Sequence, residues 1–195
     1  MEENSIEELI NKLRPDRELS GDSEKWANWM SMLLPTSCQY CVEQHGKIVD
    51  ISILNNKAEV QAHLRCKCIY VPMRTKEVGT VTDAGMEGAD AYLLYEGRLP
   101  YYYVDKETAR QAGWKTVYRN LSSALPGKMI GGDIYQNRDQ KLPIGANRIW
   151  YEADINYVTG KRNRQRILYS NDGLMFATYD HYHTFYEITN QGEEE

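Results

Sequence analysis

No apolar run in this 195-residue chain approaches the ~18–20 residues a helix needs to cross a bilayer, so no membrane-spanning helix is expected. The chain does not open on a basic stretch followed by an apolar one. Its first residues, MEENSIEEL, are acidic, and no secretory signal is visible. That leaves a chain that is cytosolic as written, one delivered by a non-classical route, or an excised fragment. Cysteine is missing from the C-terminal two-thirds: all four lie between positions 38 and 68. Any metal or disulfide framework therefore belongs to the N-terminal part. No internal repeat or low-complexity tract is present.

What the chain does contain is typical of a folded domain, with 42% hydrophobic and 26% charged residues. The length suits one large domain or two small ones. Charge is unevenly spread. Residues 1–99 carry 16 acids and 11 bases, whereas residues 100–192 carry 9 acids and 12 bases. An acidic whole thus hides a mildly basic C-terminal body, compatible with a nucleic-acid partner.

Three regions separate. Ile6, Leu9, Ile10 and Leu13 follow helical spacing after Ser5, and GDSEKWANWMSMLL supplies a second expected helix. Asp22 or Ser23 would cap it, Trp26, Met30 and Leu33 would form its buried stripe, and Pro35 would stop it. Residues 36–74 form a cysteine module in which Gly46 marks a turn between two expected strands. Residues 75–87 read as a linker, placing a boundary between residues 1–78 and 79–195. Beyond it, GADAYLLYEGRLP, DKETARQAG and NLSSAL read as short helices. Strand-like runs follow: KMIGGDIY, NRIWYEADI, RQRILYS, LMFATYD and TFYEI. Helices followed by consecutive strands predict an α+β fold, with helices packed on a twisted antiparallel sheet. A small helical, cysteine-rich domain would precede it.

The charged residues of the C-terminal half raise the question of chemistry. Strand alternation puts Glu152 and Asp154 on one face, and groups Arg162, Arg164 and Arg166 if KRNRQR is extended. A surface salt network is the plain reading of such a set. In YDHYHTF, His181 and His183 would share a strand face, either as a metal-ligand pair or as one catalytic acid and a bystander. A carboxylate, a histidine and several cations also suffice to cleave RNA through its own 2′-OH. That reaction needs a base for the hydroxyl proton, an acid for the leaving 5′-oxygen and cations for the extra phosphoryl charge. It needs no metal, because the substrate supplies a nucleophile already in position.

Several runs are long and specific: LPYYYVDKETARQAGW, NLSSALPGKMIGGDIYQNRDQKLP, WYEADINY, RNRQRILYSNDG and DHYHTF. Through them, residues 88 to 188 resemble the barnase-like, guanyl-preferring bacterial ribonucleases, without a gap. The resemblance implies the microbial ribonuclease fold and an endoribonuclease acting on single-stranded RNA without a catalytic cofactor. It makes Glu152 the general base and His181 the general acid. Lys106, Arg162 and Arg166 become the cations around the phosphate, and Asp154 the buried carboxylate that orients the two arginines. Asp133 lines the site, and Tyr182 is an aromatic beside the histidine.

Guanine recognition would fall to Gln136, Asn137, Arg138 and Asp139. Asp139 stands where the family has glutamate, so its reach is shorter by about 1.5 Å. Arg164 replaces a small hydroxyl residue and Lys161 an aromatic, both of which should strengthen phosphate attraction. His183 replaces a glutamine, which disfavours a required metal-ligand pair. The resemblance also implies a barstar-like inhibitor as partner and a toxin role, acting on RNA in a target-cell cytoplasm after secretion or phage-like delivery.

In the N-terminal part, CQYC and HLRCKC offer Cys38, Cys41, Cys66 and Cys68, with His63 as an alternate fourth ligand. The spacing suits a tetrahedral structural zinc site. Disulfides and reduced thiols remain the other readings. The set CQYC, QHGK, HLRCKC, VPM is similar to the C-terminal end of Mu F-like phage minor head proteins, where His45 would be structural. That likeness supplies a second reading of the whole chain: a phage head-associated structural or RNA-binding protein. The presence of both an acid and a base argues against it, since binding alone requires neither.

Overall fold

A computed structural model describes residues 21–34, 36–52, 62–63 and 66–190. The helix expected over residues 5–13 lies outside them. Described strands are β1 (Gly21–Met30), β2 (Ile48–Asp50), β3 (Ile69–Glu77), β4 (Tyr103–Val104), β5 (Met129–Tyr135), β6 (Trp150–Asp154), β7 (Arg166–Ser170), β8 (Met175–Thr178) and β9 (Tyr186–Thr189). Described helices are α1 (Gln39–Gln44), α2 (Ala89–Glu96), α3 (Lys106–Gln111) and α4 (Leu121–Ala124). All nine strands join one sheet, in the order β2-β1-β3-β9-β8-β7-β6-β5-β4. The fold is α+β, as expected. The sheet is antiparallel from β5 to β9 but mixed overall, because β3 runs parallel to β9 and β4 parallel to β5.

Helices α2 and α3 form where the sequence signals them. Asp105 caps α3 by accepting from the Thr108 N–H at 2.6 Å. Gly97 takes the left-handed conformation (φ 64°) that closes α2, which costs a glycine little. In β5, Gly131 has no room for a side chain: a Cβ would lie 2.6 Å from Tyr103 and 2.7 Å from Ala153. Gly132 (φ 93°) sits in an irregularity of the β5–β6 ladder, after which Asp133 faces Glu152. The GG pair is therefore what brings two carboxylates into register.

Both faces of the central strands are covered. Ile167 and Ala177 point to a core that includes Ala89 and Ala91 of α2, with Val78, Val81 and Ile188. Their neighbours Leu168 and Phe176 point the other way, into a core built with Trp26, Ile48 and Met73 of the N-terminal segment. Strands buried on both faces read as continuous apolar runs, which is the character of LMFAT. Each large side chain buried here contributes about 1.5–3 kcal/mol.

Three expectations fail. GDSEKWANWM is strand β1, not a helix. Ser23 does accept from the Trp26 N–H at 2.7 Å, as a helix cap would, but the bond folds a bulge between Asp22 and Ala27. After the bulge, Trp26 enters the Phe176 core while Trp29 packs with Cys41 and Cys68, so the tryptophans serve different cores. The segment before Gly46 is α1 rather than a strand. Residues 75–77 belong to β3, and Val78 and Val81 are buried, so the stretch read as a linker is packed into the fold.

Candidate active site

Glu152 projects from β6 at the centre of a polar group. Its Oε1 accepts from Lys106 Nζ at 2.6 Å and its Oε2 from the Tyr182 hydroxyl at 2.5 Å. Burial alone would raise the Glu152 carboxyl. The Lys106 and Tyr182 bonds outweigh it, helped by Arg166, and hold the group below the usual glutamate range. Glu152 is therefore ionised at neutral pH. Each of its oxygens keeps a second lone pair for an incoming hydroxyl. Asp133, across the ladder, accepts from the Lys106 N–H at 3.2 Å and lies 3.8 Å from its ammonium. Burial pushes the Asp133 carboxyl up despite that lysine, with Glu152 adding repulsion.

Two residues along β6, on the same face, Asp154 is fully buried. Arg162 holds it with two bonds, Nε to Oδ2 at 2.5 Å and a terminal nitrogen to Oδ1 at 2.6 Å. Arg166 Nε lies 2.9 Å from Oδ1. Arg166 also donates to the Asn163 and Gln165 carbonyls, at 2.9 Å and 2.6 Å. KRNRQR is not a strand throughout, because β7 begins only at Arg166. Arg162 from the loop and Arg166 from the strand meet on Asp154, whereas Arg164 is exposed. Burial works against the Arg162 charge, but the bonds to Asp154 outweigh it and raise its pKa. A cleft of about 330 Å³ adjoins Arg162 and is also lined by Trp114, Arg119 and Lys161, extending the cationic surface.

His181 does not sit in a strand, so it and His183 are not paired by alternation. His181 (φ 65°) and Tyr182 (φ 69°) are both left-handed, a conformation costing roughly 1–2 kcal/mol per residue. Local bonds hold it. The His181 N–H donates to the Arg164 carbonyl at 3.1 Å, the Tyr182 N–H to Thr178 Oγ1 at 3.0 Å, and Lys141 Nζ to the Tyr182 carbonyl at 2.9 Å. Asp180 accepts from the His183 and Thr184 N–H groups, at 3.1 Å and 2.9 Å. His183 turns its Nδ1 to the Asp180 carbonyl at 2.8 Å. The His181 ring lies 4.8 Å from the Tyr182 ring, placing it one aromatic away from Glu152. Partial burial, then Arg166, Arg164 and His183, lower the His181 pKa below its ordinary 6.5; Glu152 opposes them.

The loop after β5 stands beside this group. Tyr135 stacks on Tyr182 with centroids 5.2 Å apart. Asn137 (φ 43°) exchanges two bonds with Leu142, at 2.8 Å and 3.0 Å, pinching the loop at its base. Gln136, Arg138 and Asp139 are exposed around it. Two features were not anticipated. Tyr182 bonds the Glu152 carboxylate rather than merely adjoining the histidine, and Lys141 supports Tyr182 from a distant loop. No local pattern in the sequence signals either contact.

A second cluster lies in the N-terminal segment. Cys38, Cys41 and His63 come together, as do Cys41, Cys66 and Cys68, and none of the four cysteines is in a disulfide. His45 has a structural part, accepting from the Ser31 N–H at 3.1 Å. Among the described residues, no helix is long and apolar enough to cross a membrane.

Comparison with known proteins bears on the C-terminal half of the chain. The chain is 47% identical over 102 residues to a ribonuclease of Heyndrickxia coagulans, covering 52% of this chain and 94% of that protein. It matches a ribonuclease of Bacillus pumilus at the same identity over 102 residues, but spans only 63% of that protein's length. A crystal structure of ribonuclease Sa2 with guanosine-2′-cyclophosphate is 30% identical over 31% of this chain and 65% of the other, with a TM-score of 0.28. A family model described as ribonuclease matches residues 88–189, from the start of α2 to the end of β9. Glu152, His181 and the cations around them all lie in that span, and the chain belongs to the ribonuclease family.

Proposed function

We propose that the chain is a metal-independent endoribonuclease that cleaves single-stranded RNA in two steps, with its chemistry carried by residues 79–195. In the first, Glu152 takes the 2′-hydroxyl proton as O2′ attacks phosphorus. His181, as imidazolium, gives its proton to the departing 5′-oxygen, leaving a 2′,3′-cyclic phosphate. In the second, neutral His181 takes a proton from water as the water oxygen attacks phosphorus, and protonated Glu152 returns its proton to O2′. Lys106, Arg162 and Arg166 stabilise the added phosphoryl charge, with Asp154 aiming both arginines. Asp133 helps hold Lys106.

One observation carries this reading: a partly buried carboxylate kept ionised by Lys106 and Tyr182, with the His181 ring 4.8 Å from the ring of that same tyrosine. Such a pair suits acid–base work and is not required for binding.

Guanine preference is the finer part of the proposal. Backbone N–H groups of residues 136–139 would meet the base oxygen, and Asp139 would accept from the base N–H edge. A toxin role on target-cell RNA, with the N-terminal segment as a delivery adaptor, goes with it. So does a barstar-like inhibitor whose acidic surface complements the three cations. The test is digestion of GpN and ApN dinucleotides in excess EDTA at saturating substrate. Guanosine 2′,3′-cyclic phosphate should appear first and the 3′-phosphate later, with ApN slower. Products bearing 5′-phosphate ends would overturn the mechanism, and equal rates would remove the guanine preference.

A further inference from the structure

The cysteine cluster is unused by the chemistry above, yet a short path of contacts joins it to the loop after β5. Three contacts link four of its side chains. Cys38 Sγ and Cys41 Sγ each lie 3.1 Å from His63 Nε2, and Cys41 Sγ lies 3.9 Å from Cys66 Sγ. A tetrahedral zinc ion with Zn–S near 2.3 Å and Zn–N near 2.0 Å would set these edges at about 3.8 Å and 3.5 Å. A disulfide would need about 2.04 Å. The two arms also have the same spacing, C-x2-C and H-x2-C, and each closes in a turn. The Val42 N–H bonds the Cys38 carbonyl at 3.2 Å, and the Cys66 N–H the His63 carbonyl at 3.0 Å. The Cys41 N–H points to Cys38 Sγ at 3.4 Å, a contact that favours a thiolate there. Cys38, Cys41, His63 and Cys68 line a cavity of about 340 Å³. Cys68 lies near Cys41 and Cys66, packed like Cys41 in the cluster with Trp29; the three short contacts above, however, run through Cys38, Cys41, His63 and Cys66.

From this cluster a short path leads to the substrate loop. The turn after α1 is tied to β1 by Gly46 N–H to the Trp29 carbonyl at 2.8 Å, and it leads directly into β2. The Ile48 N–H of β2 donates to the Lys141 carbonyl at 2.7 Å, and the Ile48 side chain packs in one core with Leu142. Lys141 and Leu142 are the residues that hold Tyr182 and Asn137. We propose that Cys38, Cys41, His63 and Cys66 bind one zinc ion, and that this ion fixes β2 against the base of the loop at residues 136–140. The metal would act on substrate affinity rather than on the acid–base step. Its kinetic consequence rests on the ribonuclease reading, whereas the metal site itself does not.

Native mass spectrometry of the full chain, refolded with zinc, should show one zinc per chain. Cys38→Ser and His63→Ala should lose it and Cys68→Ala should keep it. No zinc in the wild type would overturn the site, and loss in Cys68→Ala with retention in His63→Ala would overturn the ligand set. Backbone hydrogen exchange of the zinc-stripped wild type then tests the coupling. The Ile48 amide should lose protection while β6–β8 keep theirs; an unchanged Ile48 amide would overturn the link. Where RNA is cleaved, zinc removal should raise KM about fivefold, the weight of one backbone hydrogen bond, and leave kcat nearly constant. A fall in kcat at constant KM would also overturn it. Absence of cleavage would defeat the functional reading alone, since metal content and exchange are measured without RNA.

Discussion

The two ends of the sheet are stabilised by different chemistry. From β5 to β9 the working surface hangs on buried charge: Asp154 pinned between Arg162 and Arg166, and Glu152 between Lys106 and Tyr182. In the segment from β1 to β3 the concentrated polar chemistry is sulfur and imidazole, and the rest is aromatic packing through Trp26 and Trp29. A buried ion network needs every partner present, because one charge left alone in the interior is expensive. The sulfur cluster is small and local, and its influence on the site passes through one strand. Damage at the charged end should therefore be severe and global, and damage at the sulfur end mild and directed at the loop.

Asp154→Ala should have the largest effect, since it leaves the buried Arg166 and the partly buried Arg162 without their carboxylate. Urea unfolding should show a loss of about 3–5 kcal/mol, and cleavage should fall with it. A loss under about 1 kcal/mol would mean that the arginines find water, and that the charged end is no more demanding than a surface pair.

Changing a neighbour of the proposed catalytic pair, Glu152 and His181, should move a titration rather than the fold. Glu152 and His181 both titrate below their ordinary values, so kcat/KM should peak on the acid side of 6.5. Lys106→Ala removes a group that lowers Glu152, so the acid limb should move to higher pH as well as activity falling. The same depression links Glu152 to stability. Its contribution is complete above the ordinary 4.5 and is lost as pH falls through the lowered folded value. Acid unfolding of Lys106→Ala should therefore begin at higher pH than that of the wild type. Arg164→Ser removes a smaller cause of the low His181 value, so the alkaline limb should shift upward by less. An unmoved limb would show that Arg164 does not act on the histidine.

How much of this could be read from the chain differs between the same two regions. Strands β5 to β9, the Asp105 cap and the Gly97 stop follow from local pattern, and so does the shared face of Glu152 and Asp154. The meeting of Arg162 and Arg166 on Asp154 does not. Alternation predicted one extended run, and the structure instead uses a loop residue and a strand residue. The paired left-handed residues at His181 and Tyr182 are not legible either: Thr178 supports them from the same turn, but Lys141 and Arg164 do so from elsewhere. In the N-terminal segment, Ser23 makes the hydrogen bond of a helix cap in a strand bulge. The stripe expected of Trp26, Met30 and Leu33 does not form: Trp26 is buried in the Phe176 core while Leu33 is exposed. Tertiary packing against Phe176 overrides helical spacing there.

The proposed mechanism requires Glu152 as base and His181 as acid. Cleavage of saturating RNA in excess EDTA should proceed in the wild type and fall by roughly 10²–10⁴-fold in Glu152→Ala and in His181→Gln, with both variants folded by urea unfolding. A wild type inactive under those conditions, or folded variants that cleave as fast as it does, would contradict it.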